Sequence, residues 1–190
     1  MSITKYRLHR GDISELSDQH PAFRKFNGTS GTGWHKWIDK TTGAGSYDKM
    51  ILFVGKSGYG KSTTVNGLFG NRVLETSDVA ACTRVCQCLE FHVENNHWLS
   101  LGDLPGVGEN LERDHEYLEL YSRFFEYASV IVHVLRADTR DYSIDEYMTS
   151  KLINTPKMKG KVIYALGQCD KIEPLNRNIS FSPSFDQLKN

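Results

Sequence analysis

Met50-Ile-Leu-Phe-Val54, followed by Gly55-Lys56-Ser57-Gly58-Tyr59-Gly60-Lys61-Ser62-Thr63, decides the fold. The first five residues are a short continuous apolar run, the pattern of a strand buried on both faces. The next nine fit G-x-x-x-x-G-K-[ST] in full, and a helical stretch, Ser62 to Phe69, leaves them before Gly70 stops it. The chemistry explains the residue types. Glycines let backbone N–H groups turn inward around phosphate oxygens. The helix N-terminus adds a positive dipole end. Lys61 places a cation at the β and γ phosphates, and Ser62 offers a hydroxyl to a magnesium ion. Gly55, Lys56, Ser57, Gly58, Tyr59, Gly60, Lys61, Ser62 and Thr63 are therefore the expected nucleotide cradle.

Downstream, strands and helices alternate. Val85 to Val93 alternates with Val85, Leu89, Phe91 and Val93 on one face, and Trp98 to Leu101 is a further strand ending at Gly102-Asp103. Glu112 to Ala128 has helical spacing, Val130 to Leu135 is a strand, and Ser143 to Ile153 reads as a helix with Ser143 and Glu146 in a capping box. Val162 to Leu166 closes the series. The alternation implies a mostly parallel sheet with right-handed crossovers. Upstream, residues 1–49 lack a sustained apolar period and read as a partly ordered extension. Trp34 and Trp37, spaced by three, are expected to pin one helical turn. Gly31-Thr32-Gly33 and Gly43-Ala44-Gly45 read as flexible linker.

The chain has 190 residues, enough for one domain and an appendage. Hydrophobic residues at 39% and charged residues at 24% exclude collagen-like and disordered classes. Basic and acidic side chains balance at 23 each, so composition carries no strong nucleic-acid footprint. Residues 1–49 nevertheless hold 8 basic and 5 acidic side chains, an excess read as a solvated surface. No apolar run approaches the roughly 20 residues of a membrane span, and the N-terminus has no signal-type apolar region. With four cysteines and no secretion signal, a reduced cytoplasmic protein is expected.

Asp103-Leu104-Pro105-Gly106 follows a strand, 41 residues beyond Ser62. A carboxylate there can hold magnesium through water, and the glycine N–H can reach a γ phosphate. Together the two motifs resemble those of P-loop GTPases, in the Era-like branch of the translation-factor-related class. Ser77-Asp78-Val79-Ala80-Ala81-Cys82-Thr83-Arg84 and Asp145-Glu146-Tyr147 resemble a prophage-type subgroup of predicted GTP-binding proteins. The likeness covers about residues 50–175. It implies a three-layer α/β G domain over residues 50–190, binding GTP or GDP with magnesium. Lys61, Thr83 and Gly106 would act in hydrolysis, and Ser62, Thr83 and Asp103 would serve the metal. Thr83 is the preferred switch I threonine and Thr76 the alternative. Arg84 is read as a surface side chain in preference to a cis arginine finger.

The family's base-recognition pattern, N/T-K-x-D, here stands as Gly167-Gln168-Cys169-Asp170. Asp170 can accept the guanine N1–H and 2-amino hydrogens, and Gln168 stands where a lysine would cover the base. Ras-like members place a water-orienting glutamine where this chain has Val107, so slow turnover is implied, with the catalytic group coming from a partner, a second subunit or a switch residue. Relatives activated by potassium carry asparagine at the Gly58 position, so potassium dependence is not implied. The alternative reading is a septin- or immunity-GTPase-like module that assembles through its G face with little hydrolysis. The family fold ordinarily continues with another strand, a base-contacting loop and a helix. None is legible after Lys171, so the G domain reads as C-terminally incomplete, with an open sheet edge. Cys86, Cys88 and His92 share a strand face, but buried thiols explain them better than zinc. His133 is read as a core histidine, and the acidic run Glu109 to Glu126 as a solvated helix face.

Overall fold

The computed structural model describes residues 6–12, 24–76, 85–108, 110–158 and 160–172. Eight strands form one mixed sheet: β1 (Tyr6–Asp12), β2 (Arg24–Thr29), β3 (His35–Asp39), β4 (Gly45–Val54), β5 (Val85–Glu94), β6 (His97–Asp103), β7 (Ala128–Arg136) and β8 (Val162–Gly167). The helices are α1 (Lys61–Phe69), α2 (Leu111–Tyr127) and α3 (Ser143–Met148). As the strand–helix alternation predicts, β6, β4, β7 and β8 run parallel. β5 joins β6 as an antiparallel hairpin, and β1 pairs antiparallel along the length of β5.

β4 organises the molecule. Its alternation sends Met50, Leu52 and Val54 into one apolar layer and Ile51 and Phe53 into the other. The first layer packs on α2 through Tyr117, Leu120, Tyr121, Phe124 and Phe125, and on Met148 of α3. The second packs on Val65 and Phe69 of α1. Helices on both faces give the three layers expected. On the β8 side, the described residues leave Ile163, Tyr164 and Leu166 about half exposed, and β8 pairs only with β7 among them.

The N-terminal segment corrects two expectations. Trp34 and Trp37 do not pin a helical turn. Residues 24–54 form a β2–β3–β4 antiparallel meander, and β4 begins at Gly45, five residues before the apolar run. In a strand, a spacing of three puts side chains on opposite faces. Trp37 is accordingly buried against Phe26 and Tyr127, while Trp34 meets His97 on the other side. The glycine-rich pieces are tight turns rather than linker. Gly33 and Gly43 take left-handed φ values of 77° and 71°, donating to Ser30 and Asp39 carbonyls.

A row of buried polar side chains crosses this end of the sheet. Trp37 Nε1 donates to Asp48 Oδ1 at 2.7 Å and Ser100 Oγ to Asp48 Oδ2 at 2.8 Å. Arg24 pairs with Glu90, whose Oε2 is also 2.8 Å from His9 Nε2. β1, β2 and β3 are thereby tied to the central strands by charge as well as by ladder.

Two helix boundaries also differ from the reading. α3 ends at Met148 and continues as a π turn, Thr149–Ile153. Ser143 is not its cap. It is the first helical residue, and Asp141 Oδ1 accepts both its hydroxyl at 2.7 Å and its N–H at 3.2 Å. The aspartate thus closes a turn just before the helix, whose cap position, Tyr142, makes no side-chain capping bond.

Candidate functional site

The C-terminal ends of β4, β6, β7 and β8 lie side by side, the place where open α/β sheets bind ligands. β4 delivers Gly55 to Thr63 directly into α1. Gly58 and Gly60 are left-handed, and Lys61 and Ser62 open the first turn of α1, where helix N–H groups have no intrahelical acceptor. Lys61 is buried. Its Nζ is 3.2 Å from both the Gly55 and Lys56 carbonyls, which arch the side chain back over the loop. Thr63 is exposed on the helix.

β6 brings Asp103 to the same point. Ser62 Oγ donates to Asp103 Oδ2 at 2.5 Å, while Asp103 Oδ1 is buried without a partner among the described residues. Burial pushes the Asp103 carboxyl up, opposed by Lys61 and by the Ser62 hydrogen bond. A buried carboxylate oxygen without a donor, beside a serine hydroxyl, is a donor set that fits a hard divalent cation. Ser62 and Asp103 are the residues that would hold it.

The loop after Asp103 packs onto the phosphate loop. Ser57 N–H donates to Val107 O at 2.9 Å, extending the β4–β6 pairing. Gly106 is in such close approach that a Cβ there would sit 2.5 Å from Ser57 Cα and 2.8 Å from Lys61 Nζ. Val107 is fully buried in the core. Two side chains that sequence reasoning missed hold this loop. Asp114 of α2 accepts the Gly108 N–H at 2.7 Å, and Tyr121 donates to the Pro105 carbonyl. The helical period places Asp114 one turn before Tyr117 and two before Tyr121, the only signal that would have found it.

The β7–α3 loop was missed as well. Asp141 meets Lys56 at 3.0 Å across the mouth of the site. Hydrogen bonds from Ser143 and then Lys56 hold the Asp141 carboxyl down at about 2. Tyr59 packs its ring in the core and reaches the Asp141 carbonyl at 3.4 Å, and burial with nearby Asp145 pushes its hydroxyl up to about 12.

Gln168 and Asp170 follow β8. Gln168, left-handed at φ 58°, donates from Nε2 to the Gly58 carbonyl at 3.1 Å, and Lys171 donates to its Oε1 at 2.7 Å. The base-motif glutamine is thus tied to the phosphate loop. Asp170 is exposed in a 3-10 turn, Cys169–Lys171. Burial, then Asp170, raises the Cys169 thiol, which leaves it a poor thiolate. Cys86 and Cys88 are fully buried, and burial holds the Cys88 thiol well up. His133 is buried with Nε2 3.0 Å from Asp145 Oδ1, while its Nδ1 has no partner, so it is paired on one side only. Thr83, Arg84, Cys82 and Glu109 lie outside the described residues. Thr76 accepts from Arg72 at 2.9 Å.

A phosphate loop between a buried strand and a helix, with Asp103 meeting its serine, defines a P-loop nucleotide-binding domain. Residues 50–166, more than half of the chain, match the model of the 50S ribosome-binding GTPase family, and the chain belongs to that family. It is 37% identical over 130 residues to the uncharacterized protein YkfA of Escherichia coli, covering 68% of this chain and 44% of that one. Among solved structures it is similar to Aquifex aeolicus Era bound to GDP·AlF4−, with 28% identity, a TM-score of 0.54, and coverage of 67% of this chain and 42% of that one. Arabidopsis thaliana Toc33 shares the fold, at 22% identity, TM-score 0.52, and coverage of 67% and 53%. The chain spans less than half the length of the curated relatives it matches. Among the described residues no helix is long and apolar enough to cross a membrane.

Proposed function

We propose that the chain binds guanine nucleotide with magnesium through Gly55–Thr63 and Asp103, and hydrolyses GTP slowly as a switch. The observation that carries this reading is the convergence of Ser62, Asp103, Lys61 and Gly106 at one point above the phosphate loop. Era, similar in fold and at 28% identity, is known with MgGDPNP bound. Lys61 would hold a cation where charge on transferring phosphate oxygens grows, and the Gly106 N–H would donate to a γ-phosphate oxygen. A bound magnesium ion would neutralise charge between the β and γ phosphates. Asp170, whose carboxylate accepts two hydrogens, would select guanine over adenine, and Gln168 positions that turn by its bond to Gly58.

Val107 cannot orient water, and its burial in the core keeps it from the site. Unaided turnover on the order of 10⁻⁴–10⁻² s⁻¹ follows. The same burial favours a second reading, nucleotide-dependent self-assembly with little hydrolysis. Residues 50–190 act as the G domain in either case, with 24–49 built onto its sheet, in a cytoplasmic setting. The test is a titration with fluorescent GDP, competed by GTP, GDP and ATP with and without magnesium, on the parent and on Lys61→Ala. Binding limited to guanine nucleotides and lost in Lys61→Ala supports the reading. Equal competition by ATP, or parent-like binding by the variant, refutes it. Light scattering with GTP and GDP separates the switch from the self-assembling module.

A further inference from the structure

The half of the sheet remote from the phosphate loop carries a surface that the nucleotide site does not use. The register aligns Lys36, Tyr47 and His97 across β3, β4 and β6, so the three side chains share one face. Tyr47 and His97 stack, with centroids 5.0 Å apart and planes 16° apart. Trp34 meets His97 edge-on at 4.8 Å, and Lys49 Nζ lies 5.2 Å from the Trp34 ring. Lys25 joins them through Ile38 on the same face. These rings and lysines belong to neither core cluster and are half-buried or exposed, whereas α1 packs on Ile51 and Phe53 further along β4. Buried His97 Nδ1 has no hydrogen-bond partner among the described residues, a polar atom still to be satisfied. Among the described residues the register places one carboxylate beside the patch, Glu94.

We propose that this face binds single-stranded nucleic acid, with bases on Trp34, Tyr47 and His97 and phosphates on Lys25, Lys36 and Lys49. The chemistry favours that occupant. Aromatic faces flanked by cations on a flat sheet stack unpaired bases while the lysines follow the backbone. Lys36 and Lys49 are register-diagonal neighbours, a spacing of about 7–8 Å or somewhat less between their Cβ atoms, so one strand passes both. A neutral whole chain does not oppose this, because the basic excess lies in residues 1–49 and three of its lysines are here. An acidic peptide would match the lysines but leave the rings without stacking partners.

The test uses the whole chain and a fluorescein-labelled 12-nucleotide oligo-U, followed by anisotropy between 50 and 200 mM KCl. Three phosphate contacts predict a salt slope near −2, and so roughly twentyfold weaker binding across that range. Lys36→Gln with Lys49→Gln should cut the slope to about −0.7. Trp34→Leu should weaken binding about fivefold or more and leave the slope alone, a split that a structural role alone does not produce. None of these residues touches the nucleotide loop, so fluorescent GDP binding and melting temperature serve as folding controls. Kd above about 100 μM at 50 mM KCl in the folded parent overturns the proposal. So does equal displacement by polyglutamate or duplex of matched charge, or parent-like binding by both variants.

Discussion

Gly106→Ala isolates the contact between the loop after β6 and the phosphate loop. The added Cβ would lie 2.5 Å from Ser57 Cα, 2.6 Å from Ser57 N and 2.8 Å from Lys61 Nζ. Two of those atoms are phosphate-loop backbone and cannot yield alone. The third is held by two carbonyls at 3.2 Å each. The loop carrying Gly106 must therefore withdraw, taking its N–H from the γ-phosphate position. Overpacking of this kind costs about 1–3 kcal/mol. If that cost falls on the state that grips the γ phosphate, affinity for GTPγS should drop about five- to hundredfold. GDP, which makes no γ contact, should bind within about twofold of the parent. The assay is competition of both ligands against fluorescent GDP, with single-turnover hydrolysis alongside. Gly67→Ala is the control. It lies within α1 with open space around the new methyl, so it should stabilise by up to about 1 kcal/mol without changing the ligand ratio. A Gly106→Ala protein with the parent's GTPγS-to-GDP ratio and turnover would refute the packing argument.

Burial raises the Asp103 carboxyl, so between its unfolded value near 3.8 and its higher folded value the folded chain binds more proton than the unfolded one, and this group's contribution falls as pH rises through that window. The melting temperature of Asp103→Asn relative to the parent should accordingly rise from pH 4 to pH 7, while the magnesium-dependent gain in nucleotide affinity disappears. Gln168→Leu removes the bond to the Gly58 carbonyl and should weaken GDP by roughly 1 kcal/mol, about fivefold, read by the same competition. Asp170→Asn replaces two acceptor oxygens with an amide that donates, so it should lose guanine and gain xanthine nucleotides, read by competition with XDP. Arg24→Ala strips the buried Glu90 of its cation and should destabilise the whole chain by about 3–5 kcal/mol in urea unfolding. A single transition in that experiment would show that residues 24–49 melt with the central sheet, and a separate early transition would show that they do not.

How far the residues alone reached follows from where each signal sits. The phosphate loop was legible because it acts through contiguous backbone, and strand β4 because its apolar run is itself the buried element. The parallel order of β6, β4, β7 and β8 followed from alternation with helices. The meander β2–β3–β4 was not legible. Its strands bury single residues such as Trp37 between polar neighbours, and its turns are rich in glycine and threonine, so composition mimics a linker. The start of α3 was masked by a serine that fits the capping pattern, whereas Tyr142 holds the cap position and Asp141 bonds Ser143 from one residue before it. Thr83, on which the switch I reading rests, lies outside the described residues.

The sequence by itself determined where the phosphate-loop motif and the proposed metal-holding pair stand, because Gly55 to Thr63 and Asp103 are specified by local motifs at the ends of recognisable strands. Only the tertiary structure decided what holds them. Lys56 reaches Asp141 across 85 residues, Gln168 reaches Gly58 across 110, and Asp114 fixes Gly108 from a neighbouring helix. It also set Trp34, just before β3, on one face with Tyr47 of β4 and His97 of β6. Apart from the helical spacing of Asp114 within α2, such partners leave no periodicity or spacing in the chain, since what brings them together is sheet register and helix packing, and these are settled only when the whole core closes.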